Sequence, residues 1–342
     1  MKAAVLQAPR RFAIEERPRP IPGRGEVVVE IGATAVCHSD LDMYRGSHPL
    51  HYPAVLGHEA TGTVVAIGAE VERVRPGQNV LINPVLVCGH CDCCRRGLDY
   101  LCRSSGIIGR EVDGSLSEYL CLAARYVHPL PSHVALDEAT IIETLSTVKH
   151  AQQRAAIARG ESVVVLGQGT SGLLHTRLAV LSGATVIAVS RTQWKLDMAS
   201  RMGAQYLVAA SLEAAIDEVL RLTEGEGAEV IIDTVGGADT LSVGIRMLRP
   251  GGRFCSYSAS SEPFTSVSAF QLYYKEITVL GARAMTPADI DESIDLVASG
   301  RFDLSGFVTM RYPLTAVAAA FEEYERNPDR ILRIVIDSRP TD

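Results

Sequence analysis

The sequence predicts an α/β protein, a β-rich segment followed by a parallel sheet. Three observations carry that prediction. Short apolar runs cut by Gly and Pro fill the first part of the chain. From about Leu136 the pattern alternates strand and helix on a scale that implies βαβ units. Between the first such strand and its helix stands a glycine-rich turn, GQGTSG, residues 167–172.

The strand-like runs of the first segment are KAAVL, EVVVEIGATAV, GTVVAIGA and QNVLIN, with SLSEYLCLA after a cluster of cysteines. Residues 136–156 have helical spacing and neither Pro nor Gly. Strand 162–166 and helix 171–181 flank the glycine-rich turn, and strand 185–190 follows. Then come a helix from Trp194 to Met202, strand 206–209, a helix from Leu212 to Leu222 and strand 228–235. A helix from Asp239 to Leu248 and strand 252–258 close the series. The tail holds helices at 288–299 and 316–324 and a strand at 331–337. It is too short for a core of its own and is expected to return to the first domain. The expected domains are 1–145, 146–282 and the returning 283–342.

The chain has 342 residues, 47% hydrophobic and 21% charged, with a formal net charge of −7. That suits two ordinary domains. No long basic run is present, so nucleic acid is not an expected partner. The first residues lack the apolar stretch of a secretory signal, and no run is apolar and long enough for a membrane span. The expected location is the cytoplasm. Five of the eight cysteines fall between 88 and 102, and in a reducing compartment such crowding points to a metal.

Gly167, Gly169 and Gly172 have the GxGxxG spacing after a buried strand and at the start of a helix. Glycines there permit a tight turn and close approach to a pyrophosphate, and the helix start, with Thr170 and Ser171, supplies free N–H groups. The next strand ends in Ser190 and Arg191, where a cofactor lacking a 2′-phosphate wants Asp or Glu. Ser190 can hydrogen-bond a 2′-phosphate and Arg191 can pair with it, with Lys195 near, so NADP(H) is favoured over NAD(H).

Cys88, Cys91, Cys94 and Cys102 form a four-thiolate set, which closes a tetrahedral zinc and is structural. An iron–sulfur cluster is the alternative use of four cysteines. Cys93 is expected to be no ligand. Arg95, Arg96 and Arg103 are close enough in sequence to offset the thiolate charge. A second metal site is suggested by Cys37 and His58 with Glu59 or Glu143, since a catalytic zinc takes three protein ligands and keeps one position open. Zn²⁺ with one thiolate, a neutral imidazole and one carboxylate is formally neutral. A second carboxylate would weaken its pull on a substrate oxygen, so Glu59 and Glu143 are not expected to bind together in the reactive state.

Together these features resemble the zinc-dependent medium-chain dehydrogenase/reductase family. GHEATGTVVAIG is similar to its zinc signature, CGHCDCCRRGLDYLC to its structural lobe and GQGTSG to its coenzyme turn, in the same order over essentially the full chain. The resemblance implies a GroES-like β-rich catalytic domain, a doubly wound Rossmann domain inserted in it, two zincs per chain, and a homodimer or homotetramer. Glu143 in ETLSTVKHA replaces the cysteine of simple alcohol dehydrogenases, as in the sorbitol, glucose and threonine enzymes, although Thr144 stands where Pro is common. Ser39 matches the hydroxyl that carries the substrate proton away, and Asp42 stands where a His often completes that relay.

The expected reaction is reversible hydride transfer between a secondary alcohol (a polyol, sugar or similar alcohol) and NAD(P). A threonine-type amino-alcohol dehydrogenase and a non-catalytic zinc- and nucleotide-binding protein are the alternatives. Candidate substrate contacts are Tyr44, His48, Arg110, Glu111, Arg283 and residues around Leu272.

Overall fold

The computed structural model describes residues 1–339. Contacts divide the chain into two compact units: Met1–Ser146 together with the segment from Thr286 onward, and Thr147–Met285. The sequence placed the boundaries after 145 and 282.

In the first unit the strand Glu26–Ala35 is central. It pairs antiparallel with Glu59–Ile67, with Tyr119–Ala123 and with the late strand Arg333–Asp337. Val308–Pro313 lies parallel to Arg333–Asp337 at one edge, and Asn79–Ile82 with Val127–Pro129 extends the other. Alternation sets the faces: Val27, Val29 and Ile31 join one core with Val64, Val80 and Ile82. A separate core gathers Leu6, Leu41, Tyr44, Phe321 and Ile334.

The second unit is a six-stranded, fully parallel sheet. Its order is Tyr206–Ala209, Thr185–Ser190, Ser162–Leu166, Ala228–Asp233, Leu248–Ser256, Thr278–Gly281. The first three strands in sequence therefore step one way from Ser162–Leu166 and the last three, from Ala228–Asp233 onward, step the other way, the doubly wound arrangement. Val163 to Leu166 are all buried, as a strand covered on both faces requires.

Several elements differ from expectation. His38–Arg45 is a helix within the segment read as β-rich. It buries Leu41, Met43 and Tyr44 and ends at Gly46 in the left-handed region (φ 80°). Residues 136–154 form two helices, Leu136–Ala139 and Ile141–Arg154, and the Thr140 hydroxyl donates to the Asp137 carbonyl at their junction. The run at 115–123 is strand only from Tyr119. The parallel series does not close at 252–258: a short helix, Ala269–Lys275, leads to the edge strand Thr278–Gly281. That strand has only four residues and is mostly exposed.

Candidate metal sites and nucleotide turn

The lobe closes on itself. The sulfurs of Cys88, Cys91, Cys94 and Cys102 stand 3.5 Å (Cys91–Cys94, Cys102–Cys88), 3.9 Å (Cys91–Cys102) and 4.0 Å (Cys88–Cys94) apart. Four thiolates about 2.3 Å from one zinc would be spaced ~3.8 Å apart, so the donor set fits that metal. Cys93 is outside this group. The thiolate charge is met by backbone N–H groups: Cys88 donates to the Cys102 sulfur and Cys91 to the Cys88 sulfur, each at 3.3 Å. The expectation that arginines do this is corrected for two of them. Arg95 donates to the His90 carbonyl and Arg96 faces Asp92.

The second donor set is assembled from distant segments. Cys37 caps the helix His38–Arg45, and His58 and Glu59 sit where the chain enters the strand Glu59–Ile67. Gly57 enables that entry: it adopts φ 96°, and a Cβ there would press on Ser115 Oγ and Thr34 Cγ2. The donor atoms of Cys37, His58 and Glu59 lie within 4.8 Å of one another, which suits a three-ligand metal. Glu143 is not in that group, but it is buried and electrostatically coupled to it. Burial, then the Glu59 charge, pushes its carboxyl up to about 7.

Two residues absent from the sequence reading hold this set. Asp40 is buried, accepts the Cys37 N–H at 3.0 Å through Oδ2, and faces His58 Nδ1 at 3.2 Å through Oδ1. One carboxylate thus secures the helix start and orients the imidazole, leaving Nε2 for a metal. Burial lowers the His58 pKa, and the Asp40 carboxylate more than reverses this, holding it well above the usual value in the metal-free protein. Cys-x-x-Asp, an acid three residues after a helix cap, is the signal that could have disclosed Asp40. The other residue is Arg333, buried on the late strand. Its guanidinium donates to the Val36 carbonyl at 3.2 Å and to Thr144 Oγ1 at 2.9 Å, and lies 3.2 Å from Glu59 Oε1. An arginine inside the apolar run ILRIVID was its signal, since buried arginines need partners.

Asp40 and Arg333 enter the charge count with opposite signs. The count from sequence held neither. The buried Asp40 carboxylate and the buried Arg333 guanidinium cancel, so the site with zinc, one thiolate and one glutamate ligand remains formally neutral. Thr144, the departure from Pro, supplies the hydroxyl that takes Arg333.

Ser39 is exposed on the first turn of its helix, and Asp42 is half exposed, 3.7 Å from Arg45. Tyr44 is buried between Phe12 and Phe321, a core residue and not a substrate contact. Arg110 and His48 are brought together, with Nη1 and Nε2 at 3.5 Å, and Arg110 pairs with Glu111 at 2.7 Å. Arg283 is exposed and Leu272 packs on the core of the second unit.

In the second unit the glycine-rich turn carries the expected features. Gly167 has φ 86°. A Cβ on Gly172 would overlap the Gly167 carbonyl oxygen, so helix and strand touch through backbone there. A Cβ on Gly169 would meet nothing within 4 Å. Gly169 caps the helix Thr170–Leu181, so open space lies at a helix start, as a pyrophosphate requires. Ser190 ends its strand with Oγ accepting the Thr192 N–H, Arg191 is exposed, and the Lys195 ammonium lies 5.5 Å from the Trp194 ring centre.

Residues 23–132 match the alcohol dehydrogenase GroES-like domain and residues 172–299 match the zinc-binding dehydrogenase domain. The chain is 31% identical to sorbitol dehydrogenase of Halalkalibacterium halodurans over 89% of its own length and 90% of that protein. It is 29% identical to L-galactonate-5-dehydrogenase of Escherichia coli, covering 98% of both. The crystal structure of galactitol-1-phosphate dehydrogenase from Escherichia coli superposes with a TM-score of 0.90 at 26% identity, covering 99% of this chain and 100% of that one. No helix among the described residues is long and apolar enough to cross a membrane. Fold, donor sets and kinship agree: the chain belongs to the zinc-dependent medium-chain dehydrogenase/reductase family and is an NAD(P)-dependent oxidoreductase of its polyol-type group.

Proposed function

We propose that Cys37, His58 and a glutamate hold the catalytic zinc of a reversible polyol dehydrogenase that favours NADP(H). The observation that carries this is the convergence of Cys37, His58 and Glu59 within 4.8 Å, with Asp40 and Arg333 behind them. When bound there, zinc acts as a Lewis acid that lowers the pKa of a substrate hydroxyl.

The chain's own residues do the rest. Asp40 keeps His58 in one orientation. Arg333 neutralises Glu59 and holds it in place, while Glu143 stands near as the alternative third ligand. Ser39 takes the substrate proton, and its exposure allows release to water directly. Asp42, beside Arg45, is the further acceptor for that proton. Gly167, Gly169, Thr170, Ser171 and Gly172 receive the pyrophosphate, which positions the nicotinamide to exchange hydride with the carbinol carbon. Ser190 and Arg191, aided by Lys195, receive the 2′-phosphate. The lobe zinc on Cys88, Cys91, Cys94 and Cys102 is structural. A homodimer or homotetramer and a cytoplasmic location complete the proposal.

A panel of polyols, polyol phosphates, aldonates and amino alcohols, with NAD and NADP, tests it through the absorbance of reduced nicotinamide. Turnover of amino alcohols alone would move the enzyme to the threonine type. Arg191→Ala should raise KM for NADPH about tenfold more than for NADH, and equal effects would remove Arg191 from the cofactor site.

A further inference from the structure

We propose that Arg110 and His48 form a subsite for an oxyanion at the far end of the substrate, a carboxylate or phosphate, so that the preferred substrates are anionic polyols. This rests on the polyol dehydrogenase reading and adds a substrate class to it.

The first support is position. The loop carrying Arg110 lies against the residue that precedes the ligand His58. A Cβ built on Gly109 would stand 2.7 Å from the Gly57 carbonyl oxygen and 2.9 Å from the Gly57 nitrogen, and one on Gly114 would overlap the carbonyls of Leu56 and Gly57. Arg110 therefore springs from backbone in contact with the metal-binding segment. His48 arrives from the other ligand. It follows the helix that Cys37 caps, and the N–H groups of Ser47 and His48 both donate to the Asp42 carbonyl at the end of that helix. Two segments, each adjoining a different metal ligand, thus meet where Arg110 Nη1 stands 3.5 Å from His48 Nε2.

The second support is how the guanidinium is held. Its Nε donates to Glu111 Oε1 at 2.7 Å, and the other Glu111 oxygen takes the Ile107 N–H at 2.6 Å. Glu111 is thus tied to its own loop and holds Arg110 by one edge. Of the terminal nitrogens, which fork onto carboxylate or phosphate, Nη1 faces His48. Only 28% of the Arg110 side chain is exposed, so it is not a freely solvated surface cation. An exposed Arg–Glu pair contributes little to stability. Fixing a half-buried guanidinium by its Nε pre-orders it for a ligand, which lowers the entropy lost on binding. The imidazole of His48 brings a second polar group to the same place.

The test uses the zinc-loaded enzyme. In the Arg110→Gln variant, the ratio of kcat/KM for a hexitol phosphate, or for a hexonate, to that for the parent hexitol should fall about tenfold or more. The two anionic substrates show whether phosphate or carboxylate is preferred, and Arg110→Lys should recover part of the loss on phosphate. A ratio unchanged by Arg110→Gln overturns the subsite while leaving polyol oxidation intact. If no polyol of any charge is oxidised, the polyol reading fails, and calorimetric titration with inorganic phosphate decides the subsite independently. Saturable binding that weakens about tenfold in Arg110→Gln supports it, and binding that is absent or insensitive to the substitution overturns it.

Discussion

The proposed metal site around Cys37 and His58 and the nucleotide turn are built on opposite plans. The turn is made of backbone: three glycines, a helix start, and open space beside Gly169. The metal site is made of side chains from four separated segments, with His58 oriented by the nearby Asp40 and the Glu59 charge met from the far end of the chain by Arg333. A backbone site depends on the absence of atoms, so it breaks when a methyl group is added. A side-chain site depends on balanced buried charge, so it breaks when one partner is removed.

The largest expected effect follows from removing a ligand. Cys37→Ser or His58→Ala should abolish turnover, reduce bound zinc from two per chain to one, and leave the far-ultraviolet circular dichroism unchanged. Turnover persisting without the second zinc would sink the mechanism. Next is Arg333→Met, which strands buried carboxylates. It should lower stability by about 3–5 kcal/mol in urea unfolding. Arg95→Ala in the lobe, where backbone N–H groups meet the thiolates, should stay within about 0.5 kcal/mol. Similar costs for the two would erase the contrast.

On the backbone side, Gly172→Ala should cost about 1–3 kcal/mol by overpacking helix on strand. Gly169→Ala has room and should leave stability unchanged while weakening cofactor binding, measured by nicotinamide fluorescence. The second unit also buries a titratable group in its own way. His175 packs edge-on to Tyr257, and burial pushes its pKa down to about 3. The folded state excludes a proton that the unfolded chain takes up below about pH 6.5. This contribution is complete above that pH and shrinks as pH falls toward 3. Between pH 7 and 5 it should remove about 2 kcal/mol of stability, a loss that His175→Gln should lack. Parallel pH profiles of the two proteins would exclude it.

The two sites were unequally legible. The glycine spacing and the four-cysteine lobe are local, so both could be read directly, together with the alternation that builds the parallel sheet. Cys37 and His58 could be singled out as metal-binding residue types. Asp40 and Arg333 left only faint signals, an acid three residues after a helix cap and an arginine in an apolar run, and their roles are set by what they touch. The helix His38–Arg45 was hidden for a related reason: its short apolar face packs on Phe321 and Ile334, far along the chain. Tyr44, suggested as a substrate contact, belongs to that same core.

The sequence by itself determined the fold class, the ligand types and the coenzyme turn, because each rests on short-range spacing of residues with fixed chemistry. Tertiary structure decided which charges surround the metal. Electrostatic energy depends on distance in space and on burial, and neither follows from separation along the chain. That is why Asp40 and Arg333, two buried groups of opposite charge, were missing from a charge count made on the sequence, and why Arg110 and His48 became a pair only once the fold had closed.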